Sequence, residues 1–522
     1  MSTATRQHQQ DISLGLYLGL GQDPHAAAHS DANRGAANIQ HHVSGSWGAS
    51  ATPGGAGAHT PAEQTADVVQ QMQQLDVATG ESSDSVDANG SDFQHTFAAA
   101  ASNAHNGAAN TTTDATWDFL TNAAQMFERT PELTEIRAAD IRRGYDMQGY
   151  RWNGYELQKQ MYMSYRRDVY PHYQCVPHSV QGVRRGANCV DATASYYDFR
   201  YATTGSGYRC EINHFQLRDL VWATSSYDVF YWHQDGVQCW NPWQRTRKCV
   251  LERSQMPKAF KLSAMCVDDG LVFAGDYRGR YCLKTLRGGD GVFAGKLSQD
   301  SGDDDIVNHA TPVKSSSGAY QILAAQNKGH IRCFDVERLS VISNTAFDWA
   351  VNSTAVTTSG ALACVVGDSC EGLLTDPRQN YRTIARLCGH MDYSFTCAFS
   401  PDERLVATGN QDTSTRVYDV RWPQHALASL CGYIGAVRSV KFSPCGRYLL
   451  AAEPADYLHV YDTKTFGAAQ DIEFMGEIAG ATFSPDANCL FAGISDSIHE
   501  CSLVEFNSSK AAGADTISDI WL

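Results

Sequence analysis

A 43-residue repeat in the C-terminal part of the chain limits the fold to repeat architectures. Three positions return at this spacing with the same residue type, namely Gly389 and Gly432, Phe399 and Phe442, and Tyr418 and Tyr461. A third unit repeats the Phe-Ser-Pro-Asp tetrapeptide at 483–486. A unit of this size is a small sheet whose apolar faces must be covered by neighbouring units. Several stacked units are therefore expected.

The unit Gly389–Asp419 resembles a WD repeat, with Gly389-His390 near its start and Tyr418-Asp419 where that family usually has Trp-Asp. The resemblance implies an all-β fold, a seven-bladed β-propeller over residues 197–508 with four antiparallel strands in each blade. Weaker copies with the same paired-strand character precede this unit, at 220–232, 271–283, 323–335 and 362–376.

Four residues of this unit occupy the positions of the structural hydrogen-bond network that the resemblance implies: His390, Thr408, Asp412 and Tyr418. In the next unit, Asp456 is expected to repeat Asp412. A hydroxyl, a His and an Asp also occur together in hydrolases, but no G-x-S-x-G elbow or oxyanion loop accompanies them here. Because polar groups inside a blade must be hydrogen-bonded, we interpret the four residues as structural.

Residues 117–196 resemble neither the repeats nor the chain before them, and they are predicted to form a helical segment ahead of the propeller. Thr130 provides an N-cap, Pro131 fits the first helical position, and Gly144 can end this helix. A second helix is expected over about 155–169, where apolar residues recur on one face.

Motifs in and after residues 117–196 make the resemblance more specific, because they point to one group of WD-repeat proteins. Asp146-Met-Gln-Gly149 followed by Trp152, together with the stretch 214–224, resembles a plant and fungal WD-repeat group described as transducin-like. The resemblance covers about 130–507. It implies architecture but no activity, because one fold supports many functions.

Residues 1–116 are predicted to be a disordered acidic tail, and residues 509–522 a short C-terminal tail. The first of these segments has two basic and eleven acidic residues, and Ala, Gly, Ser, Asn, Gln and His dominate it. Such a composition cannot bury enough apolar area to offset the entropy of the chain.

One apolar island in this tail has a period of two, with Leu14, Leu16, Leu18 and Leu20 on one side of an extended segment. The pattern resembles the Leu-x-Leu-x-Leu repression motif by which plant regulators recruit corepressors. It would make the protein a nuclear transcriptional co-regulator. The simpler alternative is an apolar island without a partner.

The net charge of −16 argues against general nucleic-acid binding, which needs clustered Lys and Arg. Residues 136–185 depart from this trend, with nine basic and four acidic side chains. This basic strip is either a solvated helix face or a contact surface for an acidic partner or RNA. The second alternative would make the protein an RNA-associated factor.

Two Asp-x-Arg sequences, Asp376-Pro-Arg378 and Asp419-Val-Arg421, lie 43 residues apart and hence at equivalent places in adjacent blades. They resemble the box by which some WD-repeat proteins dock onto the adaptor of a cullin–RING ubiquitin ligase. A guanidinium suits this task because its rigid fork makes paired hydrogen bonds. We expect both arginines at the same end of the propeller, in one patch. The alternative is that each arginine only pairs with the aspartate of its own blade.

Motifs for catalysis, cofactors and metals are absent from the sequence: it has no P-loop, no dinucleotide-binding glycine motif, no H-E-x-x-H and no Cys/His ligand spacing. Asp303-Asp304-Asp305 lacks the pattern of a calcium loop and is expected to lie in a solvated loop. The 16 Cys fall mostly one at a time in apolar runs, as buried thiols do. No run of 18 apolar residues could span a membrane.

The sequence therefore predicts a non-enzymatic interaction scaffold without cofactor or metal, a monomeric propeller that works within a complex in the cytoplasm or nucleus. Its expected partners are proteins, namely a ligase adaptor and a peptide cargo. The nuclear co-regulator and the RNA-associated factor remain as alternatives.

Overall fold

Short antiparallel strands make up most of the protein in a computed structural model. The structure describes residues 134–152, 156–170, 182–184, 186–214, 216–268, 270–287, 291–298, 305–315, 317–495 and 502–509. The helices are α1 (Ala138–Ile141) and α2 (Glu156–Val169), with short 3-10 helices at Ser206–Tyr208, Arg253–Gln255 and Pro377–Gln379. Among the described residues, neither α-helix is long and apolar enough to cross a membrane.

The strands are β1 (Glu135–Arg137), β2 (Tyr197–Thr204), β3 (Val221–Ala223), β4 (Val229–His233), β5 (Gly236–Asn241), β6 (Thr246–Glu252), β7 (Leu262–Asp268), β8 (Leu271–Asp276), β9 (Arg280–Thr285), β10 (Val292–Lys296), β11 (Val307–Lys314), β12 (Tyr320–Gln326), β13 (His330–Asp335), β14 (Ser340–Ala346), β15 (Val351–Val356), β16 (Ala363–Gly367), β17 (Gly372–Asp376), β18 (Arg382–Leu387), β19 (Ser394–Phe399), β20 (Leu405–Asn410), β21 (Ser414–Asp419), β22 (Ala428–Cys431), β23 (Ser439–Phe442), β24 (Tyr448–Ala452), β25 (Ala455–Asp462), β26 (Ala469–Phe483), β27 (Cys489–Ser495) and β28 (Ser502–Ser508).

Consecutive strands pair into four-stranded antiparallel sheets. There are five of them in the described part of the chain: β3–β6, β7–β10, β11–β14, β15–β18 and β19–β22. The remaining strands form an eight-stranded sheet in the order β1-β2-β28-β27-β26-β25-β24-β23. The expected all-β fold of repeated four-stranded units is therefore observed.

Strand β26 explains why the last sheet has eight strands. Its first part pairs with β25, from Ala469 opposite Tyr461 onward, and its second part pairs with β27, ending with Phe483 opposite Leu490. One strand of 15 residues thus serves two neighbouring sets of strands.

The first strands of successive sheets contact one another in series: β3, β7, β11, β15, β19, β23 and then β26, which in turn contacts β3. Strand β2 precedes all of these sheets in sequence but pairs with the last strand, β28, with Tyr197 opposite Ser508. The chain between these two residues is therefore held together by the pairing of its own ends.

Apolar side chains fill the space between neighbouring sheets. Phe273 and Tyr281 of one sheet stack with ring centroids 6.0 Å apart, and Tyr281 lies 4.6 Å from Phe334 of the next sheet. Full burial of one such ring stabilises the fold by about 1.5–3 kcal/mol. Glycines permit this close approach, since a Cβ on Gly275 would lie 2.7 Å from Val307, and one on Gly409 would lie 2.7 Å from Val437.

The prediction of a helix from Thr130 to Gly144 is wrong. Glu135–Arg137 is strand β1, which pairs with β2, and helix α1 covers only Ala138–Ile141. The edge of β2 offers backbone partners that a local helix signal does not take into account. The side chain of Ile136 is fully buried against the eight-stranded sheet, whereas Arg137 is exposed. The second helix, α2, lies close to the predicted range.

Several predictions fall outside the described residues. They are the disordered tail 1–116 with Leu14, Leu16, Leu18 and Leu20, and the C-terminal residues 510–522. They stay predictions.

Candidate functional site

His390, Thr408 and Asp412 lie together inside the sheet β19–β22. The Nδ1 atom of His390 is 3.0 Å from a carboxylate oxygen of Asp412, and its Nε2 atom is 2.8 Å from the hydroxyl of Thr408. The same carboxylate accepts the N–H groups of Met391 and Ser414, each at 3.0 Å. One aspartate therefore connects the loop before β19 to the turn before β21.

The hydroxyl–His–Asp order of this cluster is that of a hydrolase triad, but its burial fits a structural role. The side chains of His390 and Asp412 are 1% and 0% exposed, so no substrate reaches them from solvent. Burial alone would raise the pKa of Asp412, but the hydrogen bonds and charge of His390 outweigh it and lower the pKa to about 2. Tyr418 is also fully buried, and its hydroxyl donates to the carbonyl of Cys388 at 3.0 Å.

The next unit lacks this cluster. His390, Thr408 and Asp412 correspond, at the 43-residue spacing, to Tyr433, Ala451 and Ala455. The expectation that Asp456 repeats Asp412 is wrong, because Asp456 corresponds to Thr413 and shares its positive φ, 66° against 68°. Both units therefore have a tight turn at this place. The carboxylate of Asp456 does not take the role of Asp412 and binds a different partner.

A different buried cluster takes the place of the missing network. His459 lies between Glu453 and Asp471, with 2.8 Å from each ring nitrogen to a carboxylate oxygen. Glu453 also accepts the N–H groups of Ile434 and Gly435 at 2.7 and 2.8 Å. Burial alone would lower the pKa of His459, but the hydrogen bonds to Asp471 and Glu453 outweigh it and raise the pKa to about 9.

This raised pKa predicts a loss of stability in alkali. An imidazolium with a folded-state pKa above the ordinary value of about 6.5 stabilises the fold fully below that pH, and the stabilisation is lost as pH rises through about 9. The free energy of unfolding of wild type should therefore fall between pH 7 and 10 more steeply than that of His459→Gln. Urea unfolding across this pH range measures both slopes. Equal slopes would contradict the assignment.

The predicted motif Asp146-Met-Gln-Gly149…Trp152 forms a compact, hydrogen-bonded segment that contacts β26. The carboxylate of Asp146 accepts the indole N–H of Trp152 at 2.7 Å and the backbone N–H groups of Gln148 and Tyr150 at 2.9 Å each. Burial raises the pKa of Asp146 despite these bonds. The side chain of Gln148 in turn donates to the carbonyl of Met475 and accepts its N–H. The motif thus attaches this early segment of the chain to the eight-stranded sheet.

Helix α2 is attached to the same sheet by an ion pair. Nε and Nη2 of Arg166 donate to the two carboxylate oxygens of Asp456, both at 2.7 Å, and Arg167 donates to the hydroxyl of Tyr457 at 2.9 Å. The side chains of Arg166 and Asp456 are 17% and 1% exposed. Two arginines of the predicted basic strip are therefore engaged within the protein. Arg143 of the strip is exposed and pairs with Asp140.

Asp376 ends the third strand of one sheet, and Asp419 ends the third strand of the next. The Nε of Arg378 donates to Asp376 at 2.9 Å, and the Nε of Arg421 donates to Asp419 at 2.8 Å. In each pair the arginine Nη2 binds the second carboxylate oxygen. The hydrogen bond from each arginine lowers the pKa of its aspartate to about 2. The internal pairing considered as an alternative is thus present at both places.

These two arginines nevertheless stay accessible. Their side chains are 68% and 58% exposed. Trp422, directly after Arg421, is 73% exposed, and Leu427 in the same connection is 58% exposed. Trp422 is not among the predicted site residues, although its place directly after an Asp-x-Arg sequence could have identified it.

Acidic residues do not form a metal site in the part of the chain that the structure describes: no group of three or more His, Cys, Asp or Glu side chains is placed to hold an ion. Asp303 and Asp304 lie outside the described residues. Asp305 is buried rather than solvated, and its carboxylate accepts the N–H of Lys328 at 2.8 Å. The expected solvated loop is therefore wrong for this residue.

Residues 381–419 match the family model described as WD domain, G-beta repeat. The matched range includes β18 to β21 and the whole His390 cluster. Residues 381–419 are therefore similar to a WD40 repeat.

Curated proteins that are similar to this chain also include WD-repeat proteins. Cross-pathway control WD-repeat protein 2 of Flammulina velutipes is 30% identical over 118 residues, which are 21% of this chain and 36% of that protein. Small ribosomal subunit protein RACK1 of Schizosaccharomyces pombe is 29% identical over 120 residues, 21% of this chain and 37% of that protein. An uncharacterized protein of Schizosaccharomyces pombe is 24% identical over 294 residues, 53% of this chain and 81% of that protein.

The matches to the first two relatives cover little more than a third of their lengths. The similarity therefore extends to WD-repeat proteins, which typically act as protein-interaction scaffolds. It does not transfer the activity of any one of them.

Proposed function

We propose that this chain is a non-enzymatic interaction scaffold of the cytoplasm or nucleus, a substrate receptor that docks on the adaptor of a cullin–RING ubiquitin ligase. The observation that carries the proposal is the equivalent placement of Arg378 and Arg421, each exposed and each held by the aspartate two residues before it. An aspartate that binds Nε and Nη2 orients the guanidinium in advance, so less side-chain entropy is lost on docking.

The same contacts indicate which chemical groups of the partner would bind at this surface. Each guanidinium already faces one carboxylate, which leaves the N–H groups of Nη1 for neutral acceptors such as backbone carbonyls. Trp422, the residue after Arg421, and Leu427 in the same connection add exposed apolar surface. Arg and Trp are the residue types most enriched at interface hot spots. A carbonyl-rich adaptor surface with an apolar pocket fits this arrangement best.

We propose further that the sheets form a seven-bladed propeller over residues 197–508. Dividing the eight-stranded sheet within β26 gives a unit of four strands and a second unit of four strands that β1 extends at its edge, beside the five separate sheets. The contact of β26 with β3 and the pairing of β2 with β28 support a ring of units whose ends meet. Arg378 and Arg421 would then lie on neighbouring blades.

Replacing Arg421 by alanine should weaken adaptor binding by about 30-fold, which corresponds to about 2 kcal/mol for a buried interface anchor. Arg378→Ala should weaken it less, because Arg378 has no exposed tryptophan directly after it. The fold should stay intact, since exposed ion pairs contribute little to stability. Titration of the purified ligase adaptor against each variant measures the effect.

Arg143→Ala is the matched control, since it removes an exposed arginine that lies in neither Asp-x-Arg sequence. Melting curves of all variants verify that they are folded. If the Arg378/Arg421 double variant binds the adaptor as wild type does, or wild type does not bind it, the ligase role is wrong and an interaction scaffold without this partner remains.

A further inference from the structure

The first strands of the sheets surround a small cavity. Its wall includes a residue in or next to each of six first strands: Arg218, Ser263, Asn308, Asn352, Phe395 and Arg438. The cavity measures about 20 Å³, which is the space of one water-sized group. It can admit the oxygen end of a charged group, but not a nucleoside or a sugar ring.

Two buried arginines in this wall have N–H groups without hydrogen-bond acceptors, although the guanidinium of Arg438 also lies over the ring of Phe395 at 4.0 Å. Arg218 is 4% exposed and lies 3.3 Å from the carboxylate of Glu477, and Arg438 is 7% exposed and donates to the side-chain oxygen of Gln411 at 3.3 Å. Both contacts use Nη2. The Nε and Nη1 atoms of both arginines, and the side-chain nitrogen of Gln411, are buried and have no hydrogen-bond partner among the described residues.

Unpaired donors of this kind are costly, because each loses water without gaining an acceptor. The other carboxylate of the cavity wall, Asp219, is engaged by Lys441 at 2.7 Å and His309 at 3.4 Å. Glu477 is 45% exposed and only partly neutralises Arg218. The unpaired groups of Arg218, Gln411 and Arg438 are all donors, and two of these three side chains are cations.

The charges of the two arginines act on the groups around them. Burial and the neighbouring Arg218 lower the pKa of Arg438 to about 9, so Arg438 is still charged at pH 7. Burial, followed by Arg218 and Arg438, lowers the pKa of His214 to about 4, so this histidine is neutral there. Both shifts have the direction that burial and a neighbouring cation produce, and for Arg438 these effects outweigh the opposite effects of Tyr170, Asp392 and Glu477.

We propose that Arg218 and Arg438 form an anion site that binds a phosphate or carboxylate group at the mouth of this cavity. The unpaired N–H groups of both guanidinium groups donate to its oxygens, so that the anion is held by two cations. Glu477 is partly exposed and therefore lies on the side of the site that is open to solvent. Its carboxylate competes with the bound anion for Arg218. The site is separate from the Asp-x-Arg pairs and does not depend on ligase docking.

Thermal unfolding of the full chain at pH 7 tests the site, with inorganic phosphate or acetate as the probe and chloride keeping the ionic strength constant. An anion that binds the native state raises the unfolding midpoint with its concentration. Wild type and the control Arg404→Met should respond to at least one anion, whereas Arg438→Met should not. Without added anion, Arg438→Met should melt no lower than wild type, since it removes an unpaired buried charge.

Glu477→Gln provides a test of opposite sign, which stays informative if Arg438→Met fails to fold. Loss of the competing carboxylate should tighten anion binding about tenfold. If wild type shows no anion-dependent midpoint, or Glu477→Gln and Arg438→Met respond as wild type does, the site does not exist.

A peptide with a single phosphoserine distinguishes the source of the anion. Binding at least tenfold tighter than inorganic phosphate assigns the site to an end group of a protein partner. Equal affinity assigns it to a free anion. Because no ligase adaptor is present, failure of the ligase proposal leaves this result unaffected.

Discussion

Asp412→Ala is expected to lower the free energy of unfolding by about 3 kcal/mol, because removing one partner of a buried, hydrogen-bonded pair leaves the others unsatisfied. The N–H groups of Met391 and Ser414 and the ring of His390 would all lose their acceptor in a region that water does not reach. Urea unfolding of wild type and variant at pH 7 measures the loss.

Two further measurements identify the cause. Asp198→Ala, which removes an exposed aspartate, should change stability by less than about 0.5 kcal/mol. The pKa of Asp412 is lowered to about 2, so its contribution is present above the ordinary value of about 4 and disappears as pH falls towards 2. The difference between wild type and Asp412→Ala should shrink over this range. A variant as stable as wild type at pH 7 would refute the structural role.

Arg166→Ala should destabilise the protein by about 3 kcal/mol and release helix α2 from the eight-stranded sheet. The carboxylate of Asp456 would stay buried with the N–H of Gly476 at 2.8 Å but without its cation. Urea unfolding measures the stability, and the rate of proteolytic cleavage within α2 measures its release.

Arg143→Ala is the matched control from the same basic strip. Its side chain is 73% exposed, so the loss of its pair with Asp140 should cost less than about 0.5 kcal/mol. Arg166→Lys should restore part of the stability, because it keeps the charge but loses the paired geometry. If Arg166→Ala is as stable as Arg143→Ala, the ion pair does not hold the helix.

Local pairing explains why much of the fold could be predicted from the sequence. The apolar runs and turn residues that recur every 43 residues correspond to adjacent strands such as β20 and β21, or β24 and β25. Strands joined by a short turn pair with each other, so their positions depend on nearby residues alone. The same applies to the Asp-x-Arg pairs, in which aspartate and arginine are only two residues apart.

Predictions failed where a distant segment supplies the partner. The sequence at 130–143 has helix signals, but β1 forms there because β2, more than 60 residues later, offers an edge to pair with. The assignment of Asp456 as a second Asp412 failed for a local reason, because Asp456 corresponds to Thr413, but only the structure shows that an arginine 290 residues away binds its carboxylate.

The sequence by itself thus determined the repeat, the all-β class, the composition of the His390 cluster and the positions of the two Asp-x-Arg sequences. Only the tertiary structure decided that the motif around Asp146 attaches to β26, that His459 lies between two carboxylates, and that Arg218 and Arg438 line one cavity. The physical reason is that charge and hydrogen-bonding capacity are properties of a residue, whereas burial and partners depend on which distant strands the fold brings together.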